Sequence, residues 1–404
     1  MPRMTPWTPG ARALLASSIV ARLPLAMFSI ALLVHAQHIT GSFAVAGVVG
    51  AAYAIASAVS APLLGGLVDR CGQTAVLVSG ATITALALSA AGVLPSGAPP
   101  ALLVALAAAA GLTMPPLEAC VRTLLPTMVA DPSGLPRLFA FESTVLELTF
   151  VAGPPLALGV GSLWSTGAAL CLSGLVMLSG TVLFTAQPAS RRWRPQRVGR
   201  RARGGALGSP MIRTLVLVEF GLGVVFGATE VGVTATAHAL DAAAAAGPLL
   251  GLWGLGSLLG GIVATRLGGA AQSTRGLMLL LAALALTHGA LVLTTGSVVA
   301  MGVVILVAGA TIAPTASSVY SMVDPAAPAG TSTEAFSWLV TAGLSGAALG
   351  AAAAGWLAET DGPMGAFAAV GVAGGLTVLI AGWRAYDLPP DRRRAMLRVW
   401  GTSR

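Results

Sequence analysis

The chain has 404 residues, of which 56% are hydrophobic and only 9% are charged. Soluble domains carry about 25% charged residues, so this composition excludes an ordinary soluble protein and indicates one that lies in a bilayer. The net charge of +8 would suit nucleic-acid binding. However, the basic residues are all Arg and fall mostly in short segments between apolar runs, as membrane orientation requires, so no nucleic-acid partner is expected.

The first apolar run follows Arg3 and Arg12 and imitates a secretory signal peptide. It is longer than a signal peptide needs and carries Arg22 in its middle, so we expect a retained first span. Further runs of similar length predict helices rather than barrel strands, since strands need only about 9–11 residues and alternate in polarity.

Twelve membrane-spanning helices are predicted, six on each side of a basic central segment. The first six are predicted at 12–36, 43–66, 73–94, 100–121, 138–160 and 164–186. The second six are predicted at 211–237, 246–268, 276–294, 297–320, 332–356 and 363–386.

The central segment holds eight arginines and no acidic residue: Arg191, Arg192, Arg194, Arg197, Arg200, Arg201, Arg203 and Arg213. Arginine recurs in every second connection between spans, apart from 321–331, whose only charged residue is Asp324. By the positive-inside rule, the central segment and both termini are predicted to be cytoplasmic. The predicted organisation is an N-terminal lobe (1–186), a linker (187–210), a C-terminal lobe (211–386) and a basic tail (387–404).

An internal repeat supports this division. Glu142 precedes Trp164 by the same distance as Glu334 precedes Trp356. A parallel repeat of six spans is typical of a two-lobed secondary transporter with its substrate path between the lobes. Three pairs also have the GxxxG spacing of close helix contacts, although a chain with 51 Gly contains such matches by chance: Gly256–Gly260, Gly346–Gly350 and Gly371–Gly375.

The connection after span two reads Gly65-Gly66-Leu67-Val68-Asp69-Arg70-Cys71-Gly72. In the second half of the chain it corresponds to Gly261-x-x-x-Thr265-Arg266-x-Gly268. This motif resembles the loop signature of the major facilitator superfamily, and the resemblance extends over essentially the whole chain. It implies that Asp69 approaches the N-terminus of span eleven and helps to hold the cytoplasmic side closed. Thr331 and Glu334 have capping-box spacing there. Gln73-Thr74 departs from the family's basic residues, which puts the strength of this contact in question.

A second segment, Gly153-Pro154-Pro155, is partly similar to the pattern of proton-driven drug antiporters, but the antiporter arginine of span four is replaced by Ala107. Drug/proton antiport is therefore in doubt. Pro24, Gly153, Pro154 and Pro314 are predicted helix bends, although most prolines in membrane helices are tolerated kinks.

A charge in the middle of a span costs about 2.5–3.5 kcal/mol on insertion scales, so each needs a partner or a wet cavity. Arg22 and Glu147 lie at similar depth and are predicted to pair, either structurally or in coupling.

A cytoplasmic gate is also predicted. Glu118 and Arg122 share a helix face. The other predicted gate residues are Glu142 and the motif residues Gly65, Asp69, Arg70 and Gly72.

Glu219 and Glu230 share a face of span seven about 16 Å apart. In the family that span lines the cavity, so these carboxylates are predicted to face the substrate or proton path, although a solvated Glu230 is the alternative.

No nucleotide-binding loop, catalytic constellation or metal cluster appears in the sequence, so neither an enzyme nor a cofactor is expected. The sequence predicts a monomeric all-α secondary transporter in a bacterial inner membrane, with membrane lipids around it. It would move a small organic molecule by alternating access, most readily as proton-coupled efflux. Uptake of a sugar or metabolite, and a transport-inactive scaffold or sensor, are the alternatives.

Overall fold

The computed structural model describes residues 9–129, 134–195, 204–269 and 271–388, apart from the side chains of 9–12, 29, 43–44, 147–148, 150–151 and 154. Nearly all of this part of the chain is helical. The helices up to the central segment are α1 (Pro9–Thr40), α2 (Phe43–Cys71), α3 (Gln73–Gly92), α4 (Pro100–Leu112), α5 (Leu117–Leu124), α6 (Leu135–Leu163), α7 (Thr166–Ala186) and α8 (Pro188–Arg192).

The helices after the central segment are α9 (Pro210–Ala239), α10 (Ala246–Leu267), α11 (Thr274–Gly289), α12 (Val298–Gly309), α13 (Ile312–Ser321), α14 (Val323–Ala326) and α15 (Ser332–Trp383).

Serines begin many of these helices. The hydroxyls of Ser42, Ser165, Ser209, Ser273 and Ser297 each accept a hydrogen bond from the amide three residues later, at the starts of α2, α7, α9, α11 and α12. A side-chain oxygen at this position satisfies one of the amides that the first helical turn leaves without a partner. The short polar connections between the apolar runs therefore set where the spans begin.

The number of spans agrees with the sequence. Ten helical stretches within the described chain are long and apolar enough to cross a membrane. The last of them, α15, has 52 residues and is interrupted at Gly362, where φ is 69° and Pro363 follows, so it covers predicted spans eleven and twelve. Helix α6 covers the fifth. Two spans are themselves broken, since residues 113–116 separate α4 from α5, and residues 310–311 separate α12 from α13.

The chain forms two compact units. The first contains residues 1–132, 145–206 and 328–341, and the second contains 133–144, 207–327 and 342–404. Each unit thus includes a short helix start from the opposite half of the sequence, that of α15 in the first unit and that of α6 in the second. These two segments, 328–341 and 133–144, occupy corresponding places in the internal repeat.

Small residues bring helices into backbone contact within the second unit. A Cβ at Gly350 would overlap the carbonyl oxygen of Val224, and one at Gly223 would overlap that of Gly343, so α9 and α15 approach at both glycines. Gly256 and Gly260 meet α12 and the residues just after it in the same way: their Cβ atoms would overlap the Leu306 and Ala310 carbonyls. By contrast, no atom lies within 4 Å of a Cβ at Gly371 or Gly375. Two of the three GxxxG matches are therefore real contacts.

Candidate gate and transport site

Asp69, in the last turn of α2, caps the N-terminus of α15. Its Oδ1 accepts a hydrogen bond from the amide of Thr333 at 3.2 Å, and its Oδ2 accepts one from the amide of Glu334 at 2.9 Å. The first amides of a helix have no partner within it and carry the positive end of the helix dipole, so they stabilise a carboxylate. We call this arrangement the Asp69 latch. It brings the predicted motif to span eleven, and all its atoms belong to the first unit.

Glycine in the motif permits the close approach of α2 to α15. A Cβ at Gly65 would overlap the Ser337 hydroxyl and lie 2.9 Å from the Thr333 carbonyl oxygen. On another side, the hydroxyls of Thr123 and Thr333 are hydrogen-bonded at 3.3 Å, which ties α5 to the same helix start. Gly72 has a φ of 94°, which permits the sharp turn from α2 into α3.

The capping box predicted for Thr331 and Glu334 is wrong. The Thr331 hydroxyl donates to the carbonyl of Pro328 at 2.7 Å, and Asp69 accepts the Glu334 amide that the box assigned to Thr331. The Glu334 carboxylate accepts a hydrogen bond from the amide of Ala206 at 3.1 Å, near the end of the central segment. An acceptor from a distant part of the chain replaces the local one, which spacing within the helix cannot reveal.

Gln73, where the family has a basic residue, is buried and bridges two other elements. Its Nε2 donates to the carbonyl of Cys120 in α5 at 3.5 Å, and its Oε1 accepts from the Ser190 hydroxyl in α8 at 3.1 Å. An amide both donates and accepts, so it satisfies both neighbours where a guanidinium could only donate.

The remaining predicted gate residues occupy different surroundings. Arg122 is fully buried and lies 3.5 Å from the carboxylate of Glu118, whose side chain is 16% exposed. Arg70 is exposed, at the end of α2. Glu142 is fully buried in α6, within the second unit. The role of these charges in gating stays a prediction.

The second copy of the motif has no carboxylate at the position of Asp69. Gly261 in α10 approaches the start of α6, where a Cβ would overlap the Thr144 hydroxyl. Thr265 stands in the repeat where Asp69 stands in the first copy, and its hydroxyl donates to the carbonyl of Gly261 in its own helix at 2.8 Å. The glycine contact is therefore repeated in both units, while the carboxylate cap is a feature of the first.

Arg22 is fully buried in α1. Its guanidinium donates to the carbonyl of Ser18 at 3.3 Å and to the Ser18 hydroxyl at 3.2 Å. The side chain of Glu147 lies outside the described residues, so the pairing of Arg22 with Glu147 stays a prediction.

The two acidic residues of α9 have different surroundings. Glu219 is 9% exposed, and its Oε1 accepts a hydrogen bond from the Tyr320 hydroxyl of α13 at 2.7 Å. Gly343 of α15 lies beside the same carboxylate, where a Cβ would be 3.4 Å from Oε1. Glu230, three turns along, is exposed. Three helices of the second unit thus converge on Glu219, and Tyr320 is a partner that helix spacing did not identify.

The residues predicted to bend helices lie in different local structures. Pro24 lies inside the continuous helix α1, and Pro314 lies in the first turn of α13, just after the break that separates it from α12. Gly153 of α6 packs tightly on Ala26 of α1, since a Cβ there would lie 2.6 Å from that of Ala26. The side chain of Pro154 lies outside the described residues.

Comparison with known proteins adds the family. The sequence profile of the Major Facilitator Superfamily matches residues 14–350. A curated relative from Sinorhizobium fredii, described as "Uncharacterized MFS-type transporter y4rN", is 28% identical over 95% of this chain and 96% of its own length.

Solved transporters share the fold at low identity. A bacterial homologue of the iron transporter ferroportin, in its outward-facing state, gives a TM-score of 0.75 at 18% identity over 94% of this chain and 100% of its own. The human organic anion transporter MFSD10 gives 0.71 at 16% identity, covering 93% and 100% of the two chains. The Escherichia coli fucose:proton symporter FucP gives 0.71 at 13%, covering 93% and 98%. The chain therefore belongs to the Major Facilitator Superfamily and is a multi-pass membrane protein built for secondary transport.

Proposed function

We propose that this protein is a proton-coupled exporter of a small organic molecule in a bacterial inner membrane, and that Glu219 carries the coupled proton. The buried carboxylate of Glu219 and its hydrogen bond from Tyr320 support this proposal most directly. A titratable group inside a membrane-spanning helix is costly and marks a functional site by default.

The surroundings of Glu219 suit a group that exchanges a proton as the protein changes conformation. It lies where α9, α13 and α15 meet, so movement among these helices alters the partners of the carboxylate. Secondary transporters place substrate and ion sites near the middle of the membrane between their repeats. The buried acidic side chain of Glu219 favours a cationic or amphipathic substrate over an anionic one.

The test uses purified protein in liposomes with an imposed pH gradient. Candidate substrates are first selected by their thermal stabilisation of the detergent-solubilised protein, because a ligand that binds the folded state raises its Tm. Proton-coupled export predicts that substrate accumulates against its gradient only while the pH gradient lasts. Substrate movement that ignores the gradient contradicts coupling, and uphill movement in the same direction as the protons indicates uptake instead.

The site assignment is tested with Glu219→Gln, which keeps an oxygen to accept from Tyr320 but cannot titrate near neutral pH. We expect this variant to lose gradient-driven accumulation while it still exchanges substrate across the membrane. Glu230→Gln is the matched control, on the same helix but exposed. Full coupling in Glu219→Gln would mean that another residue carries the coupled proton.

A further inference from the structure

Ser190 and Ala206 flank the arginines 191–203, and we call them the two ends of the central basic segment. Each is hydrogen-bonded to a residue of the Asp69 latch or to its immediate neighbour. At the first end, Ser190 of α8 is 1% exposed, and its hydroxyl donates to Gln73 Oε1 at 3.1 Å. Gln73 lies four residues after Asp69, and it donates in turn to the carbonyl of Cys120 in α5. The start of the segment is therefore fixed next to the helix that carries the latch carboxylate.

At the second end, Glu334 joins the segment to the other side of the latch. Its carboxylate accepts a hydrogen bond from the amide of Ala206 at 3.1 Å, while its own amide donates to Asp69 at 2.9 Å. Ala206 is fully buried, so its amide needs an acceptor, and a carboxylate is a strong one. Gly205 has a φ of 59°, and a Cβ there would overlap Glu334 Oε1. A glycine is therefore needed on both steric and conformational grounds.

We propose that Gln73 and Glu334 are positioning residues that hold the two ends of the central basic segment on the Asp69 latch, so that releasing either end weakens the latch. The two contacts lie on opposite partners of the latch, one beside α2 and α5 and the other on α15. A displacement of Ser190 or of Ala206 is thereby passed to the helix start that Asp69 caps. This role does not depend on proton coupling at Glu219, or on which substrate is moved.

A native thiol reports on the latch. Cys120 is fully buried in α5, one turn before Thr123, whose hydroxyl contacts that of Thr333 at 3.3 Å. We therefore expect separation of α15 from α5 to expose this region. In a Cys71→Ser, Cys171→Ser background, Cys120 is the one remaining cysteine of the sequence. Its rate of alkylation by a small hydrophilic maleimide, measured on the full chain in liposomes, therefore measures how often the latch opens.

The expected results distinguish the hydrogen bonds from the charge. Glu334→Ala and Ser190→Ala should each raise the Cys120 rate about fivefold, as loss of one hydrogen bond of ordinary net strength would do. Glu334→Gln keeps the acceptor for Ala206 and should react at the background rate. Gly205→Ala should raise the rate by displacing the Glu334 carboxylate, and combining it with Glu334→Ala should add little.

An unchanged Cys120 rate in Glu334→Ala overturns the proposal, and so does a Glu334→Gln rate as high as that of Glu334→Ala. Gly256→Ala is the control for general destabilisation, because its Cβ would overlap the Leu306 carbonyl and so disturb the packing of α10 on α12 within the second unit. A rise in the Cys120 rate of Gly256→Ala as large as in Glu334→Ala would show that the thiol reports lost stability, which also contradicts the proposal. Hydrogen exchange of the peptide containing Ala206 gives the second measurement, and it should accelerate in Glu334→Ala and stay at the background rate in Glu334→Gln.

Discussion

The Asp69 carboxylate accepts a hydrogen bond from the amide of Glu334, a residue 265 positions later in the chain. The same carboxylate also accepts from the Thr333 amide. Asp69 is only 5% exposed, so these amides replace solvent around its charge. Within the first unit, this charged contact therefore joins the end of α2 to the start of α15. Ser190 and Ala206 of the central segment are hydrogen-bonded on either side of this contact.

Replacing Asp69 with Ala should destabilise the latch. Loss of a capping side chain costs about 1 kcal/mol, and loss of its charge at the helix N-terminus adds about 0.3–1 kcal/mol. We expect a lower Tm in detergent and a Cys120 alkylation rate at least fivefold higher, the rate change expected for about 1 kcal/mol. Both are measured on the full chain.

The matched control is Thr265→Ala in the second copy of the motif. Thr265 donates to a carbonyl of its own helix, so its removal should leave both the Tm and the Cys120 rate close to those of the parent. Equal effects of the two substitutions would contradict a special role for Asp69.

The spans were predictable from the lengths of the apolar runs, and the main latch contact from the resemblance of a motif with one acidic residue, Asp69, to the family's loop signature. The partners of Glu219, Gln73 and Glu334 were not. Tyr320, Ser190 and Ala206 lie far from these residues in sequence, and each contact depends on tertiary packing that helical spacing cannot describe. The capping box was wrong for the same reason, since the packing of α2 against the start of α15 brings Asp69 to the Glu334 amide in place of Thr331.

The hydrogen bond between Tyr320 and Glu219 should be measurable by a double-mutant cycle. Tyr320→Phe removes the donor, and Glu219→Leu removes the acceptor. A hydrogen bond to a charged group contributes about 1.5–3 kcal/mol, and directly interacting pairs show coupling energies of about 0.5–3 kcal/mol. The free energy of unfolding of the four proteins should therefore be non-additive by more than about 1 kcal/mol. Additive effects would mean that the two side chains do not act together.

The packing of α9 on α15 makes another prediction. Gly223→Ala and Gly350→Ala each place a methyl group against a backbone carbonyl, and such overpacking costs about 1–3 kcal/mol. Gly371→Ala and Gly375→Ala provide the control on α15, where a Cβ meets no atom within 4 Å. Those two should be neutral or slightly stabilising, because Ala exceeds Gly in helix propensity by up to about 1 kcal/mol. Thermal unfolding in detergent ranks all four, and equal losses would contradict the close approach.

The predicted orientation can be tested with a native cysteine. Cys71 is exposed at the end of α2, whereas Cys120 is buried. If the basic connections are cytoplasmic, a membrane-impermeant maleimide should label the Cys171→Ser protein in inverted vesicles and not in intact cells. Adding Cys71→Ser should remove this labelling and leave only the slower reaction of the buried Cys120. Labelling from outside intact cells would reverse the assigned orientation.

Asp387 links the end of α15 to the start of α9 and should make stability depend on pH. Its Oδ2 accepts hydrogen bonds from the Thr214 hydroxyl at 2.8 Å and from Arg384 Nε at 3.0 Å and Nη2 at 2.9 Å. Burial of the carboxylate acts to raise the pKa of Asp387. The hydrogen bonds from Thr214 and Arg384, together with the charges of Arg384 and Arg213, outweigh burial and hold the pKa below its usual range.

A carboxyl group whose pKa is lowered by folding stabilises the folded state above its unfolded pKa, about 3.9 for Asp, and loses that contribution as pH falls through the folded pKa. The Tm difference between the parent and Asp387→Asn should therefore stay constant from about pH 7 to about pH 5 and shrink below about pH 4. Thr214→Val removes one of the hydrogen bonds and should show a smaller effect in the same direction. A Tm difference that does not change down to the lowest pH at which the protein remains folded would show that folding does not lower this pKa.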